Sequence, residues 1–281
     1  MSFQFAQKIG LGTWRMGESA RSAPDEIKAI EHAFSIGYRL IDTAEMYGDG
    51  GAEIVTGKAL QNIGRSKRSL LTVVSKVLPY NSSTSGVVKA CEASLRRLGC
   101  DYLDVYLLHW KGSIPFEQTL EGFQKLKARG LIKHHGVSNF DVSDLKRWID
   151  TEKILGLAQD DSIATNQVYY ALSARGIEFD LIPKQRAQNL SLMAYSPIGT
   201  GELSRHKKLI ALATSLGVSA PKLALSWVIR QPGVVAIPKS VTTAHLQENW
   251  SSQDLSLDEQ TLNALDQLFP PPASKSALAV I

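Results

Sequence analysis

Four residue types stand where chemistry could be done. Asp42 ends the apolar run Tyr38-Arg39-Leu40-Ile41, Tyr47 follows it, and Gly48, Gly50 and Gly51 come directly after. Ser75-Lys76 stands near the end of LLTVVSKV, and His109-Trp110 ends YLDVYLLHW. A tyrosine hydroxyl has an ordinary pKa of about 10. It can act as an acid toward a carbonyl oxygen when a nearby cation stabilises the phenolate left behind. Lys76 is the candidate cation, Asp42 its counter-charge, and His109 the group that hydrogen-bonds and orients a substrate oxygen. Each residue also has a purely structural reading. Asp42 and Glu45 have capping-box spacing, Lys76 suits a surface, Tyr47 suits a rim, and His109 after Leu107-Leu108 suits a core. Taken singly those readings carry more weight. Taken together they weaken, because all four residues fall at the same end of adjacent strands.

The elements that must position them alternate along the chain. Strand-like runs cover residues 8–14, 38–44, 70–77, 102–110, 132–139, 163–170, 190–197 and 234–240. Amphipathic stretches lie between them: PDEIKAIEHAFSIG, STSGVVKACEASLRRLG, PFEQTLEGFQKLKARG, SAPKLALSWVIRQ and, with weaker apolar spacing, TTAHLQENW. Proline or acidic residues open several, and glycine closes several. Eight strand–helix units with parallel strands and right-handed crossovers point to a single (β/α)8 TIM barrel over residues 1–281. An open doubly wound sheet is the rival, but nothing divides the chain into halves. The stretch Gly10-Leu11-Gly12-Thr13-Trp14-Arg15-Met16-Gly17 is not a dinucleotide fingerprint. Its third glycine falls two residues late, and the helix begins only near Pro24. A tight turn at the mouth of strand one is the better reading.

In such barrels chemistry gathers at the C-terminal ends of the strands. Strand five ends there in Ser138-Asn139, strand six carries Asn166-Gln167, strand seven ends in Tyr195-Ser196-Pro197 and strand eight in Pro238-Lys239-Ser240.

Bulk properties narrow the classes. The chain has 281 residues, 44% hydrophobic and 21% charged, which fits a globular protein rather than disorder. A net charge of +4 without a basic block gives no reason to expect nucleic-acid binding. Cys91 and Cys100 show no framework or metal spacing and read as ordinary reduced thiols. The histidines lack metal-ligand spacing, so no metal is expected. A GxSxG nucleophile motif is absent. The stretch MSFQFAQKIG lacks a targeting pattern, and no apolar run approaches the ~20 residues of a membrane span. A cytoplasmic protein without membrane partners is expected.

The motifs together resemble the aldo-keto reductase superfamily. They are GLGTW (10–14), IDTAEMYGDG (41–50), SK (75–76), LLHW (107–110), GVSNF (136–140), NQVYY (166–170), AYSPIG (194–199) and IPKS (237–240), and they span nearly the whole chain. The resemblance implies an NAD(P)H-dependent carbonyl reductase whose catalytic tetrad is Asp42, Tyr47, Lys76 and His109. It implies that Ser138, Asn139 and Gln167 hold the nicotinamide carboxamide and that the ring stacks on Tyr195. Ser196 and Ile198, with Pro197 and Gly199, follow the pyrophosphate. Lys239 and Ser240 meet the 2′-phosphate region, and Glu248 and Asn249 meet adenine. Gly12, Thr13 and Trp14 complete the cofactor set. The substrate pocket falls to Trp14, Tyr47, His109 and Trp110.

Three departures from the family pattern bear on function. His245 stands where a second 2′-phosphate contact is commonly Arg, so NADPH is expected with NADH as a weaker alternative. The segment after strand seven, which in longer members folds over the cofactor, is short. The loop after His109 and the tail after Pro272 are also short, which implies a wide, shallow pocket. In this it resembles bacterial reductases of methylglyoxal, other small α-dicarbonyls, aldehydes and diketo-sugar acids. A monomer acting on a small carbonyl is expected. Two other functions fit the same barrel. One is a cofactor-binding accessory subunit like the potassium-channel β subunits, which carry extra sequence before the barrel. The other is a lyase or isomerase using Lys76 or His109 as base.

Overall fold

The computed structural model of the chain describes residues 3–281; Met1 and Ser2, which open the stretch read for a targeting signal, lie outside the described residues. In chain order the elements are β1 Leu11–Gly12, α1 Ala23–Ser35, β2 Leu40–Asp42, α2 Gly51–Ile63, β3 Thr72–Val77, α3 Thr84–Leu98, β4 Leu103–Leu108 and α4 Phe116–Ala128. There follow β5 Ile132–Ser138, α5 Val142–Ile154, β6 Thr165–Tyr169, α6 Leu181–Ala187, β7 Ser191–Tyr195, β8 Pro197–Thr200, α7 Lys207–Ser215, α8 Ala220–Val228, β9 Val234–Ala236, α9 Thr243–Ser251 and α10 Glu259–Leu268.

Neighbouring strands pair in parallel in the order β1-β2-β3-β4-β5-β6-β7-β9, with β8 outside this sheet. The ring closes through a parallel bridge between Ile9 and Ala236. There the Gly10 N–H donates to the Ala236 carbonyl, and the Ala236 N–H donates to the Lys8 carbonyl. The expected (β/α)8 barrel is therefore the fold, and the open doubly wound sheet is not.

Every residue of β4 is buried, as a strand covered on both faces requires. Inside the ring, Leu40, Val74, Val105, Leu107, Met193, Val235 and Ile237 form their own apolar cluster, and Phe3 and Phe5 pack against it. The two phenylalanines meet edge to face at 4.9 Å. They lie at the N-terminal end of the barrel, where the Ser191 hydroxyl at the start of β7 donates to the Phe3 carbonyl. That end is filled with side chains, which leaves the opposite end for a site.

The five quoted helical patterns correspond to α1, α3, α4, α8 and α9. Ser83, Asp141, Ser219 and Asp258 cap α3, α5, α8 and α10 through their side chains. The strands are shorter than their apolar runs. Residues 8–14 yield only Leu11–Gly12, because the Met16 N–H turns back to the Thr13 carbonyl and ends the extended course. Among the described residues no single helix is long and apolar enough to cross a membrane.

Candidate active site

Register brings the four candidate residues together. Gly12 pairs with Asp42, Asp42 with Val74, and Lys76 with Leu107, so the ends of β1 to β4 stand side by side. His109 follows at the next step, its N–H donating to the Val77 carbonyl. Lys76 is fully buried, and its Nζ donates to Asp42 Oδ2 at 2.8 Å, to the Thr43 carbonyl at 2.8 Å and to Tyr47 Oη at 3.1 Å. Those three partners use all three ammonium protons. The structural readings of Asp42 as a helix cap and Lys76 as a surface lysine do not hold. Glu45 instead accepts from the Leu78 N–H and from Asn81 Nδ2, tying the β2 loop to the end of β3.

Tyr47 reaches the lysine because of the glycines. It opens a tight turn, Tyr47–Gly50, in which Gly48 and Asp49 have φ of 59° and 52°. The turn packs directly on the β1 loop: a Cβ on Gly17, whose φ is +71°, would lie 2.0 Å from the Gly51 carbonyl carbon. Backbone on backbone at that distance admits only glycine. Gly17, the late glycine of the rejected fingerprint, has this packing role.

Beneath the turn lies a layer that the sequence did not announce. Glu53 on α2 is fully buried and accepts from the Ser75 hydroxyl at 2.5 Å and from Arg97 Nε at 2.6 Å. One carboxylate thus joins β3, next to Lys76, to α2 and α3.

Burial sets the protonation of the group. It raises the Asp42 carboxyl above the ordinary range, while the Lys76 charge and the bonds from Lys76 and Gln167 oppose the rise. For Lys76, burial favours the neutral amine, but Asp42 and Tyr47 outweigh it and hold the ammonium above its ordinary value. The Tyr47 phenol is raised by burial, with Lys76 pulling it down and Asp42 adding to the rise. Burial, and then the Lys76 charge, hold His109 well below the usual imidazole range. Neutral His109 keeps one N–H to donate. Its ring meets Tyr47 edge to face at 5.8 Å and lies 4.9 Å from Trp110.

The cavity above these groups measures about 380 Å³. Of the sequence candidates, Gly12, Trp14, Asp42, Tyr47, His109, Trp110, Ser138, Asn139, Gln167, Tyr195, Ser196, Pro197, Ile198, Gly199 and Lys239 line it. Arg15, Met46, Thr200, Gly201, Ile237, Pro238 and Ile281 also line it. The short segment after β7 thus forms one wall, and tail residue Ile281 reaches the cavity; neither stands clear of it. Of these, Met46 was legible only as a neighbour of Tyr47, and Ile281 carried no signal.

The remaining candidates lie elsewhere. Thr13 is fully buried, and its hydroxyl donates to the Asp42 backbone carbonyl, so it fixes the end of β2 rather than touching the carboxylate. Ser240 bonds within its own turn, to the Thr242 carbonyl and N–H. His245 is exposed, Glu248 half-buried and Asn249 buried, all along α9 and none on the cavity wall.

At the centre, Gln167 Nε2 donates to Asp42 Oδ1 at 2.7 Å. Its Oε1 has no partner among the described residues. Tyr195 donates to Asn139 Oδ1 at 2.9 Å, and its ring stacks on Tyr169 at 5.8 Å and 17°. Asn139 and Ser196 hold positive φ, 60° and 45°, strain of the kind that gathers at functional sites. Asn139 Nδ2 has two long bonds of 3.3 Å, to Ser138 Oγ and the His109 carbonyl. A primary carboxamide needs one acceptor and one donor, and Gln167 Oε1 and Asn139 Nδ2 offer them beside the Tyr195 ring. The residues therefore fit a nicotinamide.

Comparison with known proteins identifies the family. The profile of the aldo/keto reductase family matches residues 8–269. The chain is 42% identical over 278 residues to methylglyoxal reductase YeaE of Escherichia coli (strain K12), covering 97% of this chain and 94% of that protein. It is 32% identical over 260 residues to glyoxal reductase of Bacillus subtilis (strain 168), covering 92% and 88%. The crystal structure of an aldo-keto reductase from Klebsiella pneumoniae in complex with NADPH superposes with a TM-score of 0.91 at 41% identity, covering 100% of both chains.

Proposed function

The chain belongs to the aldo/keto reductase family, and from that premise we propose that it reduces small α-dicarbonyls of the methylglyoxal type, with Tyr47 as the proton donor. It is an NADPH-dependent oxidoreductase acting on carbonyls. The observation that carries the assignment of Tyr47 is the buried chain Asp42–Lys76–Tyr47, with Nζ bonded to both neighbours. When bound, the reduced nicotinamide supplies a hydride to the carbonyl carbon.

The chain's own groups do the rest. Tyr47 gives its proton to the developing alkoxide, and Lys76 stabilises the phenolate that remains. Asp42 keeps Lys76 charged and in place. Neutral His109 donates its N–H to the substrate oxygen and so fixes which face of the carbonyl is presented. Tyr195, backed by Tyr169, supplies the aromatic platform, and Asn139 and Gln167 fix the rotation of the carboxamide. Lys239 takes the 2′-phosphate at the cavity edge.

The names of the two relatives support the substrate class, as do the apolar cavity walls of Trp14, Met46 and Trp110. The test is turnover of methylglyoxal against an anionic sugar acid, followed by loss of reduced-nicotinamide absorbance. Methylglyoxal is expected to have the higher kcat/KM. Consumption of the sugar acid alone would reassign the substrate, and no turnover of any carbonyl would leave a cofactor-binding subunit. The exposed large apolar residues are scattered over many elements, which supports a monomer, and sedimentation tests it.

A further inference from the structure

We propose that Gln167 is a positioning residue for proton donation: by holding Asp42 across the barrel it keeps Lys76 on Tyr47, while the same amide meets the nicotinamide carboxamide. This rests on the reading of Tyr47 as the acid.

The placement is unusual for a residue that serves only a cofactor. Gln167 is on β6, which lies four strands from β2 in either direction around the eight-stranded ring. Its side chain crosses the barrel to reach Asp42 Oδ1 at 2.7 Å, a bond between residues 125 positions apart. The backbone beneath it is gripped twice, since the Gln167 carbonyl accepts from the Asn139 N–H and from the Ser138 hydroxyl. A carboxylate oxygen accepts only, so the amide must present Nε2 to Asp42 and leave Oε1 for another donor. That acceptor has no partner within the described protein, and Gln167 lines the cavity. Its free end is therefore suited to the N–H of a carboxamide.

The two oxygens of Asp42 are divided. Oδ2 faces Lys76, and Oδ1 faces Gln167. Without the amide, Oδ1 is a buried acceptor that must find another proton, and the Lys76 ammonium is at hand. Of the three bonds from Nζ, the one to Tyr47 is the longest, at 3.1 Å. It is the bond that gives way if the ammonium shifts toward Asp42, and the phenol then loses its cation. The titratable groups facing this set are Asp42, Lys76, Tyr47, His109 and Tyr195. Only Asp42 has a hydrogen bond from Gln167.

The sign follows from the direction of the reaction. Reduction requires protonated Tyr47, so turnover falls as pH rises through the phenol pKa in the loaded enzyme. A phenol deprived of its cation keeps its proton to higher pH and gives it up less readily. Gln167→Met should therefore lower the kcat plateau, by roughly tenfold per pH unit of displacement if the proton-transfer step follows phenol acidity fully, and move the basic limb upward. It should also weaken NADPH binding roughly tenfold, the scale of one lost polar bond. Asn139→Gly, which tolerates the positive φ, should weaken NADPH binding without moving the limb.

A double-mutant cycle with Asp42→Ala, read as the NADPH dissociation constant by fluorescence quenching, isolates the coupling. Asp42→Ala frees the amide to turn, so it should weaken NADPH binding in the wild-type background and barely do so when Gln167 is Met. If Gln167→Met does not fold, Gln167→Asn withdraws the amide by one methylene and must give the same direction of limb shift. A stationary limb in the folded variant, or additive binding losses in the cycle, overturns the proposal. Failure of the underlying reading looks different: the basic limb would then survive in Tyr47→Phe with Gln167 intact.

Discussion

The two ends of the proposed cofactor site are built differently. At the tetrad end, Lys76 and Asp42 are buried, every polar atom of these two side chains has a partner, and the partners come from β2 and the loop after it, β3 and β6. At the 2′-phosphate end, Lys239 and His245 are exposed, and Ser240 bonds only within its own turn. Buried charges interact strongly and tolerate little displacement, because a group left unpaired there has no water to turn to. Exposed charges are screened and exchangeable, with small net energies. Changes at the tetrad end are therefore expected to abolish function, and changes at the phosphate end to tune it.

The largest expected effect tests the first half of that contrast. Lys76→Met leaves Asp42 buried beside Gln167 alone, and breaking a buried pair costs about 3–5 kcal/mol of stability. Turnover should collapse as well. Asp42→Asn should be milder in turnover, since Lys76 keeps its bonds to Tyr47 and the Thr43 carbonyl. Denaturant melts and kcat on the same samples decide it. If Asp42→Asn proves the more damaging to turnover, the order Asp42–Lys76–Tyr47 is wrong. Tyr47→Phe removes one oxygen and keeps the ring, so carbonyl reduction should fall at least ~10²-fold while NADPH still binds. Near-normal turnover in that variant would remove Tyr47 from the acid role.

The difference between the two ends also explains what the sequence could reveal. The tetrad was legible because its residue types recur at strand ends, and the barrel fixes which ends are neighbours. Its supports were not. Glu53 and Arg97 are 44 positions apart and meet only because α2 packs on α3. Gln167 was legible only as a candidate cofactor contact, and its bond to Asp42 crosses the ring and leaves no local trace. Strand lengths were overestimated at β1, β2 and β9, because an apolar run continues where backbone pairing has already stopped. The reach of Ile281 to the cavity depends on the path of the whole tail, which has no periodicity to read.

Between the extremes are two intermediate effects. His109 has a folded pKa below its unfolded one, so the unfolded chain binds the extra proton. Its contribution to stability is complete above about pH 6.5 and is lost as pH falls below that value, with a slope of up to about 1.4 kcal/mol per pH unit. The difference in melting free energy between pH 7.5 and pH 5 (roughly one unfolded imidazole's titration range) should shrink in His109→Gln. An unchanged difference would mean that His109 titrates freely. Tyr195→Ala should weaken nicotinamide binding by roughly 1–2 kcal/mol, the scale of an aromatic contact with its buried area. Binding of 2′-phospho-ADP-ribose, which lacks the ring, should not change. Equal losses for both ligands would move the platform away from Tyr195.

The smallest expected effect probes the exposed end and so sharpens the contrast most. An imidazole at His245 presents at most a single bond to a phosphate oxygen, where a guanidinium offers a planar fork of two. His245 is exposed at the start of α9, away from the cavity wall, so its partner would remain in water. A charged contact in that setting is worth little, up to about fivefold in affinity. His245→Arg should therefore tighten NADPH by roughly fivefold at most and leave NADH almost unmoved, because only NADPH carries the 2′-phosphate. A pH series is the poorer test, since the phosphate itself changes charge near pH 6. Titrating both cofactors by fluorescence quenching at one pH, above that transition, isolates the substitution. A shift shared equally by NADPH and NADH, or absent from both, would place His245 away from the phosphate. A shift for NADPH far above fivefold would mean that this end is shielded from water on binding, and the contrast with the tetrad would narrow accordingly.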